Sequence, residues 1–268
     1  MSTAGTSKNG RIGLIVPSSN TVVEMDFFRH LPAKATLHTA RMFLAETTAE
    51  AERIMVTEYV PQAVVDIASV QPQVVAFACT SAGAVLGAEG EARLIGEISQ
   101  VTGAAVVSTN DAVGSCIERH DPRSVAVITP YVDELNAHIQ SGLERRGLRV
   151  AGITGLGLTN NLAIGAVSPE HILEFAEAAL AGLDFDLLFV SCTNFRGVEA
   201  RNALASQFEV PVVTSNQATI DAVMEALSLG ARISPGSFGP DPSSWEPHTQ
   251  PGALNAQSTT GRVTTGHR

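Results

Sequence analysis

The sequence predicts an α/β protein built from two similar parallel-sheet halves. Three observations predict it. Short apolar runs rich in β-branched residues alternate with stretches of helical period, the order of a right-handed doubly wound sheet. Hydrophobic residues make up 44% of the chain and aromatics only 5%, so Ala, Val, Ile and Leu must fill the core, as in parallel strands buried on both faces. Finally, "VVAFACTSAG" (74–83) and "LLFVSCTNFR" (187–196) each end an apolar run in Cys-Thr, 113 positions apart.

In chain order, "RIGLIVP" (11–17), "ATLHTARMFL" (35–44), "VVAFAC" (74–79) and "AAVVST" (104–109) read as the strands of the first half. "SVAVITP" (124–130), "LRVAGITGLGL" (148–158), "LLFVSC" (187–192) and "VPVVTS" (210–215) read as those of the second. A helix is expected over 132–146, with Leu135, Ile139 and Leu143 facing inward and Gly147 as its stop. The plainest helix is 168–183. Ser168 caps it, Pro169 takes the first turn, and Ile172, Phe175, Ala176, Ala179, Leu180 and Leu183 form one apolar stripe. Pro17 to Cys79 and Pro130 to Cys192 are both 62 residues, and "VVSTN" (106–110) echoes "VVTSN" (212–216). The second half is shorter after its Cys-Thr by one or two helical turns. The expectation is two Rossmann-like parallel-sheet domains, 10–112 and 113–232, related by a pseudo-two-fold axis, with the last helix able to pack back on the first half. Residues 233–268, rich in Pro, Gly, Ser and Thr, read as a disordered tail.

The net charge is −10 with no block of Lys or Arg, which excludes a nucleic-acid partner that needs a basic stripe. No apolar run reaches the ~20 residues of a membrane span. "MSTAGTSKNG" at the start lacks an apolar core for export, and three cysteines cannot all pair. Free thiols in a reducing cytoplasm follow.

Ligands of open α/β sheets sit beyond the carboxyl ends of the strands. Here those ends are "PSSNT" (17–21), "CTSAG" (79–83), "STN" (108–110), "TPY" (129–131), "SCTNFR" (191–196) and "TSN" (214–216). Small hydroxyls, amides and helix N-termini make an anion site without Lys or Arg. Cys79 and Cys192 fall at equivalent strand ends, where a following helix is expected to lower the thiol pKa. A lone cysteine is usually a small buried hydrophobe, but the duplication favours function; Cys116, without a repeat partner, reads as core. Asn20 and Tyr131 follow the first strand of each half. Each has a bland reading, a turn or a rim aromatic, beside a ligand-facing one, as does Asn161 in "TNNLAIG". Arg196 is read either as a carboxylate binder or as the partner of an acid at a helix start. No CxxC, HExxH, GxxxxGK[ST] or GxGxxG pattern occurs, and no zinc spacing. Ser18 and Ser19 have no His/Asp partners for a triad.

"PSSNT", "ACTSAG", "TPY" and "SCTNFR", in this order and spacing, resemble the maleate cis–trans isomerases of the aspartate/glutamate racemase superfamily. The resemblance covers roughly residues 10–230. Arylmalonate decarboxylases are relatives that keep only the second cysteine, so Cys79 argues against that branch, and ectoine-utilisation proteins carry very similar motifs. The resemblance implies an enzyme without metal or organic cofactor, usually a homodimer or homotetramer, acting on a small carboxylic acid between its two halves. It implies Cys79 as nucleophile and Cys192 as proton donor. Asn20, Tyr131 and Asn161 would hold carboxylates, and Thr80, Ser81, Thr193 and Asn194 would stabilise developing charge. Two thiols also suit a racemase acting on an amino acid or hydantoin. A non-catalytic dicarboxylate binder is the remaining alternative.

Overall fold

The computed structural model describes residues 10–228. The expected tail lies outside them. Two four-stranded, all-parallel sheets form, with strand orders β2-β1-β3-β4 and β6-β5-β7-β8. The first contains β1 (Gly10–Pro17), β2 (Ala35–Met42), β3 (Val74–Phe77) and β4 (Ala105–Ser108). The second contains β5 (Val125–Thr129), β6 (Val150–Gly155), β7 (Leu187–Val190) and β8 (Val212–Thr214). β3 and β7 superimpose in sequence at the 113-residue offset, so each sheet carries its Cys-Thr two residues past the second of its two central strands.

The central strands are continuous apolar runs because both faces are covered. β3 and β7 are buried at all four positions, and β5 at all five. Helices α1 (Val23–His30), α4 (Thr80–Thr102), α6 (Asp133–Arg145) and α9 (Gly197–Phe208) make the main crossovers. The connection after Cys79 holds a 23-residue helical span broken by a kink at Gly87, and the one after Cys192 a 12-residue helix, a shortening of about three turns against the one or two expected. Ser168 caps α8 (Pro169–Ala179) by accepting from the His171 N–H. The stripe holds at Ile172, Ala176 and Leu180, but Leu183 is 37% exposed. The helix ends four residues before it, and its side chain lies over Gly152 on β6.

Two helices tie the halves together. α5 (Thr109–His120) leaves β4 yet buries Ala112, Val113 and Ile117 in the core of the second sheet. α10 (Ser215–Ser228) leaves β8 yet buries Ile220 and Val223 against β1 and β3. Cys116 is half-buried against the second-half core. Between β2 and β3 the chain forms α2 (Ala49–Ile54), a π-helical turn (Met55–Tyr59) and α3 (Val60–Ala68). Its counterpart between β6 and β7 holds α7 (Asn161–Ala166) and α8. No described helix is long and apolar enough to cross a membrane.

Candidate active site

The carboxyl ends of both sheets meet at the seam, and each contributes a cysteine to one cavity. Its lining includes Asn20, Thr47, Cys79, Ser81, Tyr131, Asn161, Cys192, Thr193 and Asn194. The free space is about 10 Å³, room for one water molecule.

Cys79 occupies the N-cap position of α4 with ordinary extended backbone. Its thiol donates to Glu52 Oε2 at 3.5 Å and lies 3.5 Å from Ser81 Oγ. The Ser81 hydroxyl in turn donates to Glu52 Oε1. These three groups close a buried ring. Cys192 has a different setting. Its φ is 117°, a strained conformation for a non-glycine residue and one that concentrates at functional sites. Its N–H donates to Ser215 Oγ at 3.0 Å, and its sulfur accepts from the Asn194 N–H at 3.3 Å; the nearby Tyr131 hydroxyl favours the ionised sulfur. Gly155 lets the Tyr131 segment pass close to β6: a Cβ there would stand 2.0 Å from the Tyr131 carbonyl oxygen.

The expectation of acidified thiols fails. Burial pushes Cys79 well above its ordinary value, and the neighbouring Glu52 charge adds to this. Burial pushes Cys192 up to about 12 against the opposing Tyr131 hydrogen bond. The physical reason is desolvation of the thiolate, and the helix after Cys192 begins only at Gly197.

The amides work chiefly as a zip between halves. Asn20 Oδ1 accepts from the N–H groups of Val22 and Val23, and its Nδ2 donates to Thr193 Oγ1. Asn194 Oδ1 accepts from the Thr21 N–H, and its Nδ2 donates to the carbonyl and Oδ1 of Asn161. Asn161 Nδ2 donates to Ser19 Oγ. The Thr193 hydroxyl donates to the Ala78 carbonyl. The Thr80 hydroxyl donates to Ser215 Oγ, and Thr80 stands outside the cavity lining. Arg196 pairs with Glu199 through two hydrogen bonds of 3.0 and 2.9 Å, which takes up its guanidinium at the start of α9.

Sequence reasoning missed two residues here. Thr47 is buried in the cavity wall, and its hydroxyl has no partner among the described residues. Glu52 is 1% exposed, and burial raises its pKa to about 7. Both lie in "AETTAEAERI", whose acids look like an exposed first turn favoured by the helix dipole. The loops before α2 and α7 are joined across the seam. The Thr47 N–H donates to the Thr159 carbonyl at 2.7 Å, the Asn161 N–H to the Ala45 carbonyl at 3.3 Å, and Glu46 and Asn160 form an antiparallel bridge. A larger cavity of about 250 Å³, lined by α4, α5 and α6 residues such as Gly83, Glu91 and His138, holds neither cysteine.

A family model described as arylmalonate decarboxylase matches residues 12–237. The chain belongs to that family. It is 27% identical over 236 residues to a maleate isomerase of Nocardia farcinica, covering 83% of this chain and 92% of the relative. It is 27% identical over 230 residues to the arylmalonate decarboxylase of Bordetella bronchiseptica, covering 84% and 93%. Among solved structures, the fold matches Nocardia farcinica maleate cis–trans isomerase at a TM-score of 0.74 and 26% identity, over 81% of this chain and 92% of that one. That structure is a cysteine-to-serine mutant with a covalently bound succinylcysteine intermediate. The resemblance to maleate isomerases read from the motifs therefore stands within this family.

Proposed function

We propose that this chain isomerises maleate, or a close cis-enedioate, to fumarate without a cofactor, through a succinyl-cysteine intermediate. The observation that carries the reading is that Cys79 and Cys192, one from each sheet, line one cavity. The maleate isomerase relatives and the succinylcysteine in one of them support it.

In this reading the Cys79 sulfur attacks one alkene carbon, and the Cys192 thiol delivers its proton to the other. The former double bond is now single. Rotation about it and reversal of both steps release fumarate. Tyr131, whose hydroxyl favours the ionised Cys192 sulfur, stabilises the thiolate left there after proton transfer. The spare N–H of Asn20, Asn161, the Thr47 hydroxyl and N–H groups near Thr193 and Asn194 receive the carboxylates. Ser81 acts mainly through Glu52, to which its hydroxyl donates. A four-carbon diacid exceeds the free space of about 10 Å³, so in this reading the substrate occupies a wider form of the site. The reading includes a cytoplasmic location and a homo-oligomer; exposed Phe43 and Tyr59, with ring centroids 5.4 Å apart, supply an apolar patch for a second copy. Sedimentation tests the oligomer.

The arylmalonate decarboxylase match favours decarboxylation as the second reading. Proton NMR separates the two. With maleate, the first reading expects fumarate to accumulate and the Cys192→Ser protein to carry a succinyl group on Cys79. Loss of carbon dioxide from an arylmalonate, with maleate untouched, overturns it.

A further inference from the structure

Among the described residues three acids, Asp26, Glu52 and Glu91, are buried. Asp26 lies near Arg29, and Glu91 feels Arg146. Glu52 forms no salt bridge among the described residues; its partners are the Cys79 thiol and the Ser81 hydroxyl, both donors. A buried carboxylate with no cation is costly, and a cost of that kind marks a candidate functional group. The Cys79 sulfur, meanwhile, needs to lose a proton before it can attack, and it sits at the end of a donor contact to this carboxylate.

We propose that Glu52 is the base that removes the Cys79 proton as the sulfur attacks, and the acid that returns it when the sulfur leaves. This rests on the isomerase reading and names a further catalytic group for it. The S–H bond breaks, and its proton passes to Glu52 Oε2. The sulfur electron pair forms the carbon–sulfur bond, and the alkene π pair moves to the neighbouring carbon and its carboxylate. The Cys192 thiol then protonates that carbon, leaving a Cys192 thiolate and a neutral Glu52. On reversal the Cys192 thiolate reclaims its proton from carbon, the carbon–sulfur bond breaks, and Glu52 reprotonates Cys79. Ser81 fixes Oε1, which leaves Oε2 for the sulfur. The titratable groups that act with Glu52 are Cys79 at the start of α4, Tyr131 after β5 and Cys192 after β7. Burial raises all three, so each is neutral near neutral pH. Glu52, at about 7, is the member of the set whose charge changes there.

The test compares kcat/KM for maleate across pH in the wild type and Glu52→Gln. The wild type is expected to gain rate as pH rises through about 7, because the base must be ionised. Glu52→Gln is expected to lose that limb and about 10²- to 10⁴-fold in rate. Any limb due to ionisation of maleate itself appears in both proteins. A Gln variant with wild-type rate and profile overturns the proposal. If that variant fails to fold, Ser81→Ala decides: removing the hydroxyl that lowers the Glu52 pKa must move the limb to higher pH, and an unmoved limb overturns it. If the wild type does not turn maleate over, the isomerase reading has failed by itself. Alkylation of Cys79 by iodoacetamide, mapped by peptide mass spectrometry, then tests Glu52 alone. A rate that follows a group near 7 in the wild type and not in Glu52→Gln supports the base, and identical curves overturn it.

Discussion

Cys79 and Cys192 end equivalent strands, but the chain has furnished their surroundings differently. Cys79 has relaxed backbone and a carboxyl partner, Glu52. Cys192 has a φ of 117°, a phenol partner, Tyr131, and a backbone N–H on its sulfur. A carboxylate accepts a proton and a phenol donates a hydrogen bond, so in the proposed mechanism the two ends of the cavity take opposite chemical tasks. The repeat places the two thiols at equivalent strand ends, and the difference in their neighbours is what the proposed division of roles rests on.

The largest expected effect breaks each side in turn. Cys79→Ala and Cys192→Ala are both expected to lose at least about 10³-fold in kcat, since neither step proceeds without its thiol. Mass spectrometry separates them: Cys192→Ser retains a maleate-derived adduct on Cys79, and Cys79→Ser retains none. Equal adducts on both proteins would erase the comparison. Next, Tyr131→Phe removes the hydroxyl from the Cys192 sulfur and is expected to cost about 10²-fold in kcat, with adduct formation on Cys79 largely preserved. Rapid-quench measurement of the adduct and of fumarate checks that split.

Stability sharpens the comparison from the other side. The folded-state pKa of Glu52 is about 7 against an ordinary 4.5, so the folded chain binds this proton more tightly than the unfolded one. Its contribution is therefore present below about 4.5 and is lost as pH rises through about 7, a total of about 3 kcal/mol. Glu52→Gln is expected to recover on the order of 1–3 kcal/mol near pH 8 and almost nothing near pH 4. Urea midpoints at the two pH values measure it. The same substitution would then stabilise the fold while disabling one cysteine, a trade expected where a site stores strain for function. The smallest effect belongs to Thr47. Thr47→Val removes a buried hydroxyl with no partner among the described residues and is expected to raise KM about tenfold with little change in kcat, the worth of one hydrogen bond to a charged group. Steady-state kinetics reads it, and an unchanged KM removes Thr47 from substrate binding.

Both cysteines and the strands beneath them were legible because parallel strands buried on two faces write apolar runs of fixed length, and the cysteine follows each run at the same offset. Ser168 and Pro169 announced α8 through capping chemistry that is local. Glu52 and Thr47 were illegible because burial of a polar residue in a short helix or loop depends on what the rest of the chain lays over it. The thiol pKa values were misjudged for the same reason: a helix start is visible in sequence, but the desolvation that outweighs it is tertiary. Leu183 continued an apolar period beyond the turn at which its helix stops.

The short ribbon joining residues 45–47 to 159–161 reaches from one half to the other beside the chamber. The proposed four-carbon substrate is larger than the free space there, so in the isomerase reading the seam widens once for entry and once for release. On that reading these cross-seam hydrogen bonds bear on how fast turnover can run, as well as the thiols.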